Sequence, residues 1–236
     1  MIDKRANSAA EAVRGIADGS TVLFSGFGAA GSPTDLIHAM IDLGVRDLTV
    51  VSNNAGNGHV GLAALIEAGR VHRIVCSFPR SADAGVFVDA YRRGAIELDV
   101  VPQGTLAERL RAAGAGIPAF YTPTSVGTPL AENKEVREFD GRQYVLERAL
   151  SADVALVRAE QADRFGNLTY NRAARNFGPI MCMAARTTIA QVRKFVSAGD
   201  IDPDCVVSPG IFVDRVVEIA DAVHESKLIA SGARYP

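Results

Sequence analysis

The stretch Thr21-Val22-Leu23-Phe24-Ser25-Gly26-Phe27-Gly28-Ala29-Ala30-Gly31-Ser32-Pro33-Thr34-Asp35-Leu36-Ile37 decides the fold of this chain. Its first five residues are a short β-prone apolar run. Gly26-x-Gly28-x-x-Gly31 then forms a glycine loop. Ser32 reads as the N-cap of a helix, with Pro33 at the first helical position and Asp35 in a capping-box-like arrangement. Leu36, Ile37, Met40 and Ile41 recur at helical spacing, so strand, tight turn and helix follow one another directly.

The same cycle repeats outward. Residues 48–51 read as a strand ending in Ser52-Asn53-Asn54, and residues 61–68 as a helix. A strand over 73–78 precedes a helix over 84–93, and a strand over 96–101 precedes a helix over 106–113. Apolar strands between amphipathic helices predict an α/β fold, an open, mostly parallel sheet flanked by helices. Residues 114–134, rich in Gly, Pro and Thr, read as a long ordered loop. Asp140-Gly141 between two β-prone arms predicts a hairpin over 136–146. Residues 153–157 read as a strand, 163–167 as a turn, 179–185 as a short helix, and 187–196 remain ambiguous. The whole of 1–236 is expected to be one domain, with the tail after about residue 218 loosely held because its pattern weakens.

Composition excludes several classes. Hydrophobic residues make up 48% of the 236 and charged residues 22%, which excludes long disorder. Lys and Arg number 25 against 27 Asp and Glu, so no basic surface for nucleic acid is expected. No run approaches the roughly 18 apolar residues of a membrane span. The start, Met1-Ile2-Asp3-Lys4-Arg5, lacks a secretory apolar stretch, so a cytoplasmic protein is expected. Cys76, Cys182 and Cys205 form no CxxC pair and read as buried thiols, and His38, His59, His72 and His224 form no metal-ligand pattern.

Three strand ends carry polar or glycine-rich residues, and in open α/β sheets ligands collect at the carboxyl ends of strands. Glycines at 26, 28 and 31 let backbone approach a ligand, with free N–H groups at the following helix start. This spacing also fits a dinucleotide fingerprint, but that reading needs an acid at the end of the next strand. Val51-Ser52-Asn53-Asn54 stands there, and Asp47 precedes the strand. Asn53 and Asn54 can donate to a carbonyl or carboxylate, or simply build a turn. In Pro102-Gln103-Gly104-Thr105, the Gln103 amide suits an oxyanion at an acyl carbon, or a plain helix start. No Gly-x-Ser-x-Gly elbow and no GxxxxGK[ST] loop occurs. Among the acids Glu108, Glu132, Glu135 and Glu147, none has a nucleophile's setting, and Glu132 and Glu135 read as solvated. Donors without a nucleophile make half a site.

At these residues the chain resembles the A (alpha) subunit of family I CoA-transferases of the 3-oxoacid type, over about residues 2–217. The carriers are residues 18–33, Ser52-Asn53-Asn54-Ala55-Gly56, Pro102-Gln103-Gly104-Thr105-Leu106-Ala107-Glu108-Arg109 and Ala173-Ala174-Arg175-Asn176-Phe177. Residues 53–58, 61–65, 76–80 and 176–181 are most similar to the branch acting on 3-oxoadipate in aromatic-compound degradation, with the acetate- and acetoacetate-type branch as the alternative. A non-catalytic ligand-sensing domain is a more distant one, since sugar-phosphate isomerases and regulators share related folds.

The resemblance implies the CoA-transferase alpha-subunit fold and a separately encoded B (beta) subunit, in an A2B2 assembly. It implies coenzyme A thioesters as substrates, with succinyl-CoA as donor and a 3-oxoacid as acceptor, and no permanently bound cofactor or metal. The nucleophile it implies is a B-subunit glutamate, in a Ser-Glu-Asn-Gly setting absent here, working through a glutamyl-CoA thioester in ping-pong fashion. Gln103 would be the oxyanion donor, and Asn53 and Asn54 would shape the acyl pocket. Ser25, Gly26, Phe27, Gly28, Ala29, Ala30 and Gly31 would lie against substrate or CoA. The chain departs from its relatives at Ser25 (usually Gly), Ser125-Val126 (Gly-Tyr), Pro129 (Leu) and Asn133 (Gly).

Overall fold

The structure, a computed structural model, describes residues 2–222 and 224–236. In chain order the elements are β1 (Arg5–Ala6), α1 (Ala9–Ala12), β2 (Thr21–Phe24), α2 (Thr34–Leu43), β3 (Leu48–Asn54), α3 (Gly61–Glu67), β4 (Val71–Phe78), α4 (Gly85–Arg92) and β5 (Glu97–Val100). There follow α5 (Gln103–Gly114), β6 (Ala119–Thr122), β7 (Val136–Phe139), β8 (Arg142–Arg148), β9 (Ala152–Ala162) and β10 (Leu168–Thr169). The last are α6 (Gly178–Ala184), β11 (Ala185–Phe195), β12 (Arg215–Glu218) and α7 (Glu225–Ala230).

The main sheet has the order β1-β12-β11-β9-β2-β3-β4-β5, with every neighbouring pair parallel and β10 antiparallel on β9. From β2 the chain winds one way through β3 and β4 to β5, then returns to the other side of β2 as β9. The carboxyl ends of β2, β3, β4 and β5 therefore share one edge. Residue alternation feeds two cores. Val22, Phe24, Val50 and Ile74 face α2 and α3, while Leu23, Val51 and Val75 face α5 and α6. Each face is buried against helices, as apolar parallel strands require.

The expected elements recur, with instructive differences. Residues 114–134 hold β6 and a 3-10 turn at Pro129–Ala131; β6 pairs with β8 of the Asp140-Gly141 hairpin in a three-stranded antiparallel sheet. Asp140 and Gly141 have φ of 49° and 73°, the left-handed pair a two-residue hairpin turn needs. The ambiguous 187–196 stretch is β11, a central strand between β9 and β12. Cys76 and Cys182 are buried, but Cys205 is exposed at a 3-10 turn, contrary to the expectation for all three.

The start of α2 also differs. Pro33 occupies the capping position, no side chain caps the helix, and the first helical residue is Thr34. The Ser32 hydroxyl donates instead to Glu225 Oε2 at 2.5 Å, and Asp35 accepts from Gln191 Nε2 at 2.8 Å. A carboxylate acceptor 193 residues away makes a charge-assisted bond stronger than a local cap, and local sequence cannot reveal it.

Beyond residue 218, Ile219 packs on the first core and α7 forms where periodicity suggests no element. Tyr235 stacks on His38 with ring centroids 3.7 Å apart, and its hydroxyl donates to Asp42.

Candidate active site

A cavity of about 650 Å³ opens at the carboxyl ends of β2 to β5. Phe27 and Gly28 form one wall, and Asn53, Asn54 and Asn57 the next. Ser77, Phe78 and Ser81 follow β4, and Gln103 stands at the start of α5. Every one of these side chains is neutral.

The donor cluster is built from strand ends. Asn53, 5% exposed, is the last residue but one of β3, with its side-chain oxygen accepting from two donors. Gln103 Nε2 donates to Asn53 Oδ1 at 2.7 Å, and Ser77 Oγ lies 2.8 Å from the same atom. Asn53 thus orients the Gln103 amide and occupies one of its two N–H groups. The second can point to an oxygen in the cavity. Gln103 is also the first residue of a twelve-residue helix, so the positive end of that helix dipole adds to the same field. Asn54 folds its own turn instead: its Oδ1 accepts from Gly56 N–H at 2.9 Å. Gly56, at φ 82°, brings this turn so close to α3 that a Cβ there would stand 2.5 Å from the Ala63 nitrogen.

The glycine loop closes on itself, with Phe27 and Ala30 exchanging backbone hydrogen bonds. Phe27 is half exposed at the cavity rim; on the same turn Ala29 is half-buried and Ala30 exposed, and neither lines the cavity. Gly26 and Gly31 are buried beneath it. A Cβ on Gly31 would meet the Ala174 carbonyl oxygen at 2.5 Å. Ser25 does not line the cavity: its hydroxyl donates to the Gly31 carbonyl at 2.7 Å and accepts from Arg158 N–H at 3.0 Å, stapling the loop to β9. Asn176 holds the loop from the other side. Its Oδ1 accepts from Gly26 N–H and its Nδ2 donates to the Ala30 carbonyl.

Phe27, Gly28, Asn53, Asn54 and Gln103 therefore meet in one cavity, with Ser25, Gly26 and Gly31 as its support. Asn57, Ser77, Phe78 and Ser81 also line it, and the sequence alone does not single them out for that role. Ser77 and Phe78 do stand in the 76–80 stretch that carries the resemblance, at the end of a predicted strand, and that position is the available signal. The supporting role of Asn176 depends on a loop 146–150 residues away, which no local pattern encodes.

Among the described residues no carboxylate or thiol nucleophile faces this cavity. Burial pushes the Cys76 thiol up to about 12, and it points into the first core. Burial likewise raises Cys182 to about 11, in the second core. Glu132 and Glu135 are exposed away from the cavity, and Glu147 is buried in an ion pair with Lys134 at 2.6 Å. Among the described residues no cluster of side chains could hold a metal ion. What the arrangement can do is hold an acyl group and stabilise a developing oxyanion while another chain attacks.

Comparison with known proteins bears on the family of the chain. The family profile described as coenzyme A transferase matches residues 6–219. The chain is 60% identical over 226 residues to the A subunit of 3-oxoadipate CoA-transferase from Pseudomonas putida, covering 96% of this chain and 98% of that one. It is 51% identical over 215 residues to the A subunit of succinyl-CoA:3-ketoacid coenzyme A transferase from Xanthomonas campestris pv. campestris (strain B100), covering 91% and 88%. Among solved structures, the apoenzyme of the acyl-CoA transferase YdiF from Escherichia coli O157:H7 superposes with a TM-score of 0.82 at 25% identity. That match covers 94% of this chain but 48% of YdiF, so this chain spans about half of that longer protein.

Proposed function

The chain belongs to the coenzyme A transferase family, and we propose that it is the A subunit of a succinyl-CoA:3-oxoacid CoA-transferase whose acceptor is 3-oxoadipate. The observation that carries this reading is a neutral, donor-lined cavity that no carboxylate or thiol faces among the described residues, in a chain 60% identical to the A subunit of an enzyme of that name.

In the proposed reaction a B-subunit glutamate attacks the thioester carbonyl of succinyl-CoA. The carbonyl electrons move onto oxygen, and the free N–H of Gln103 donates a hydrogen bond to the oxyanion that forms there. The C–S bond breaks and an acyl-glutamyl anhydride forms. The CoA thiolate then attacks the glutamyl carbonyl, releasing succinate and leaving a glutamyl-CoA thioester. The acceptor carboxylate repeats these steps in reverse, giving 3-oxoadipyl-CoA and the free glutamate. The first and last steps place the oxyanion on the acyl carbon, where Gln103 donates; the middle two place it on the glutamyl carbon of the B subunit. Asn53 and Asn54 shape the acyl pocket, and the loop at Phe27 and Gly28 lies against the acyl-CoA. The proposed assembly is A2B2 and the proposed location the cytoplasm. No helix among the described residues is long and apolar enough to cross a membrane.

The 51% identity to a 3-ketoacid transferase chain favours acetoacetate as the second acceptor to test. Co-expression with the B subunit, followed by an assay of succinyl-CoA with each acceptor, separates the two. Higher kcat/KM with 3-oxoadipate is expected. Turnover with acetoacetate alone would overturn the choice of acceptor, and no transfer to either by an intact complex would overturn the function.

A further inference from the structure

We infer that Glu225 is a positioning residue, whose buried carboxylate braces the glycine loop behind the wall of the cavity. This rests on the function just proposed and adds to it a residue from outside the family match, which ends at residue 219.

Glu225 is 6% exposed, and its Oε2 accepts from Ser32 Oγ at 2.5 Å and Thr34 Oγ1 at 2.7 Å. Ser32 follows the last glycine of the loop, and Thr34 opens α2. A third segment meets the same oxygen: a Cβ on Gly61, the first residue of α3, would stand 2.9 Å from it. Beside Ser32 and Glu225 lies a crevice of about 10 Å³, room for a single water at most. Its lining includes Gly28 and Asn54, which also line the substrate cavity on their other side. The carboxylate is therefore one thin layer behind the proposed acyl-CoA surface.

Among the described residues no cation pairs with Glu225; two hydroxyls compensate it. Burying a carboxylate on hydroxyl donors alone is a poor route to stability, since an apolar filling costs less. What it does provide is direction. One oxygen fixes the exit of the glycine loop and the start of α2 against the turn that carries Asn54.

The test uses the complex with the B subunit and compares E225A with E225Q. A glutamine carbonyl can accept from the same two hydroxyls, so E225Q separates position from charge. E225A is expected to raise KM for succinyl-CoA about tenfold with kcat within about threefold, and E225Q to restore KM to within about twofold. A purely structural role would lower the melting temperature and leave KM of the assembled enzyme alone. An unchanged KM in E225A, or an E225Q as impaired as E225A, would overturn the inference. If E225A fails to assemble, the Ser32→Ala/Thr34→Val double variant carries the same expectation, and an unchanged KM there overturns it. A wild-type complex inactive with every acyl-CoA would overturn the proposed function as well, whereas an active wild type with unaffected variants would overturn this inference alone.

Discussion

Asn53 accepts from both Ser77 and Gln103, which turns a flexible glutamine into a fixed donor. Removing that donor should cost on the order of 100–1,000-fold in kcat, as for other oxyanion donors. The check is Gln103→Ala in the assembled enzyme, with turnover near wild type counting against the role. Gln103 is legible in the sequence only through the family resemblance, because by itself an amide after Pro102 reads equally as a helix start. Ser77 is not legible in the same way, since its role exists only once β3 and β4 pair. The departures from the family pattern gain a physical meaning here. Ser125 and Asn133 stand where the resemblance leads one to expect Gly, and their φ angles are 76° and 63°, in the left-handed region. A serine pays about 1–2 kcal/mol there, partly offset by the greater freedom of glycine in the unfolded chain. Ser125→Gly should therefore raise stability by up to about 1 kcal/mol, read from a denaturant midpoint. A lowered midpoint would show that the hydroxyl or the loop contributes more than the backbone relief.

Elements bring their own predictions. The spacing of apolar residues predicts helix α2 correctly but not its cap, because the partners of Ser32 and Asp35 lie far along the chain. The same helix carries His38, buried, with its Nε2 accepting from Gly61 N–H at 2.9 Å at the start of α3. Burial holds this imidazole below its ordinary 6.5, and the charges of Asp35 and Asp42 only partly oppose that. Tyr235 is stacked on the ring, and burial together with Asp42 holds its hydroxyl up to about 12, so it stays protonated; Glu225 lies on the far side of Gly61. A histidine kept neutral in the folded state binds its proton more readily when unfolded. Its contribution to stability is complete above 6.5 and is lost as pH falls through the lower folded value. Melting curves should show that loss, and His38→Gln, which keeps an acceptor for Gly61 N–H, should flatten it. An equally steep profile in the variant would assign the effect elsewhere. Turns are as demanding as helices. Gly56→Ala would force a Cβ to 2.5 Å from the Ala63 nitrogen at φ 82°. A loss of more than about 2 kcal/mol is expected from strain and clash together, and a thermal melt with no shift would contradict the close approach.

At the scale of the whole molecule, the order of the sheet does the functional work. Four parallel strands end on one edge, and each delivers one part: the glycine loop, two amides, a hydroxyl and the proposed oxyanion donor Gln103. This much is legible, because strand-turn-helix units dictate a parallel sheet and parallel sheets collect their sites at one edge. The supports are not legible. Asn176, Arg158 and Glu225 meet the loop across 133 to 193 residues of chain, and only the closed fold brings them there. The proposed nucleophile belongs to this scale too: the cavity is lined by neutral groups, and the proposed function places the attacking carboxylate on a second polypeptide. The direct measurement is the intact mass of both polypeptides once the complex meets succinyl-CoA without acceptor. A covalent CoA adduct on the B chain only, with this chain unmodified and inactive by itself, is the predicted result. An adduct on this chain, or acyl transfer by this chain alone, would contradict the account.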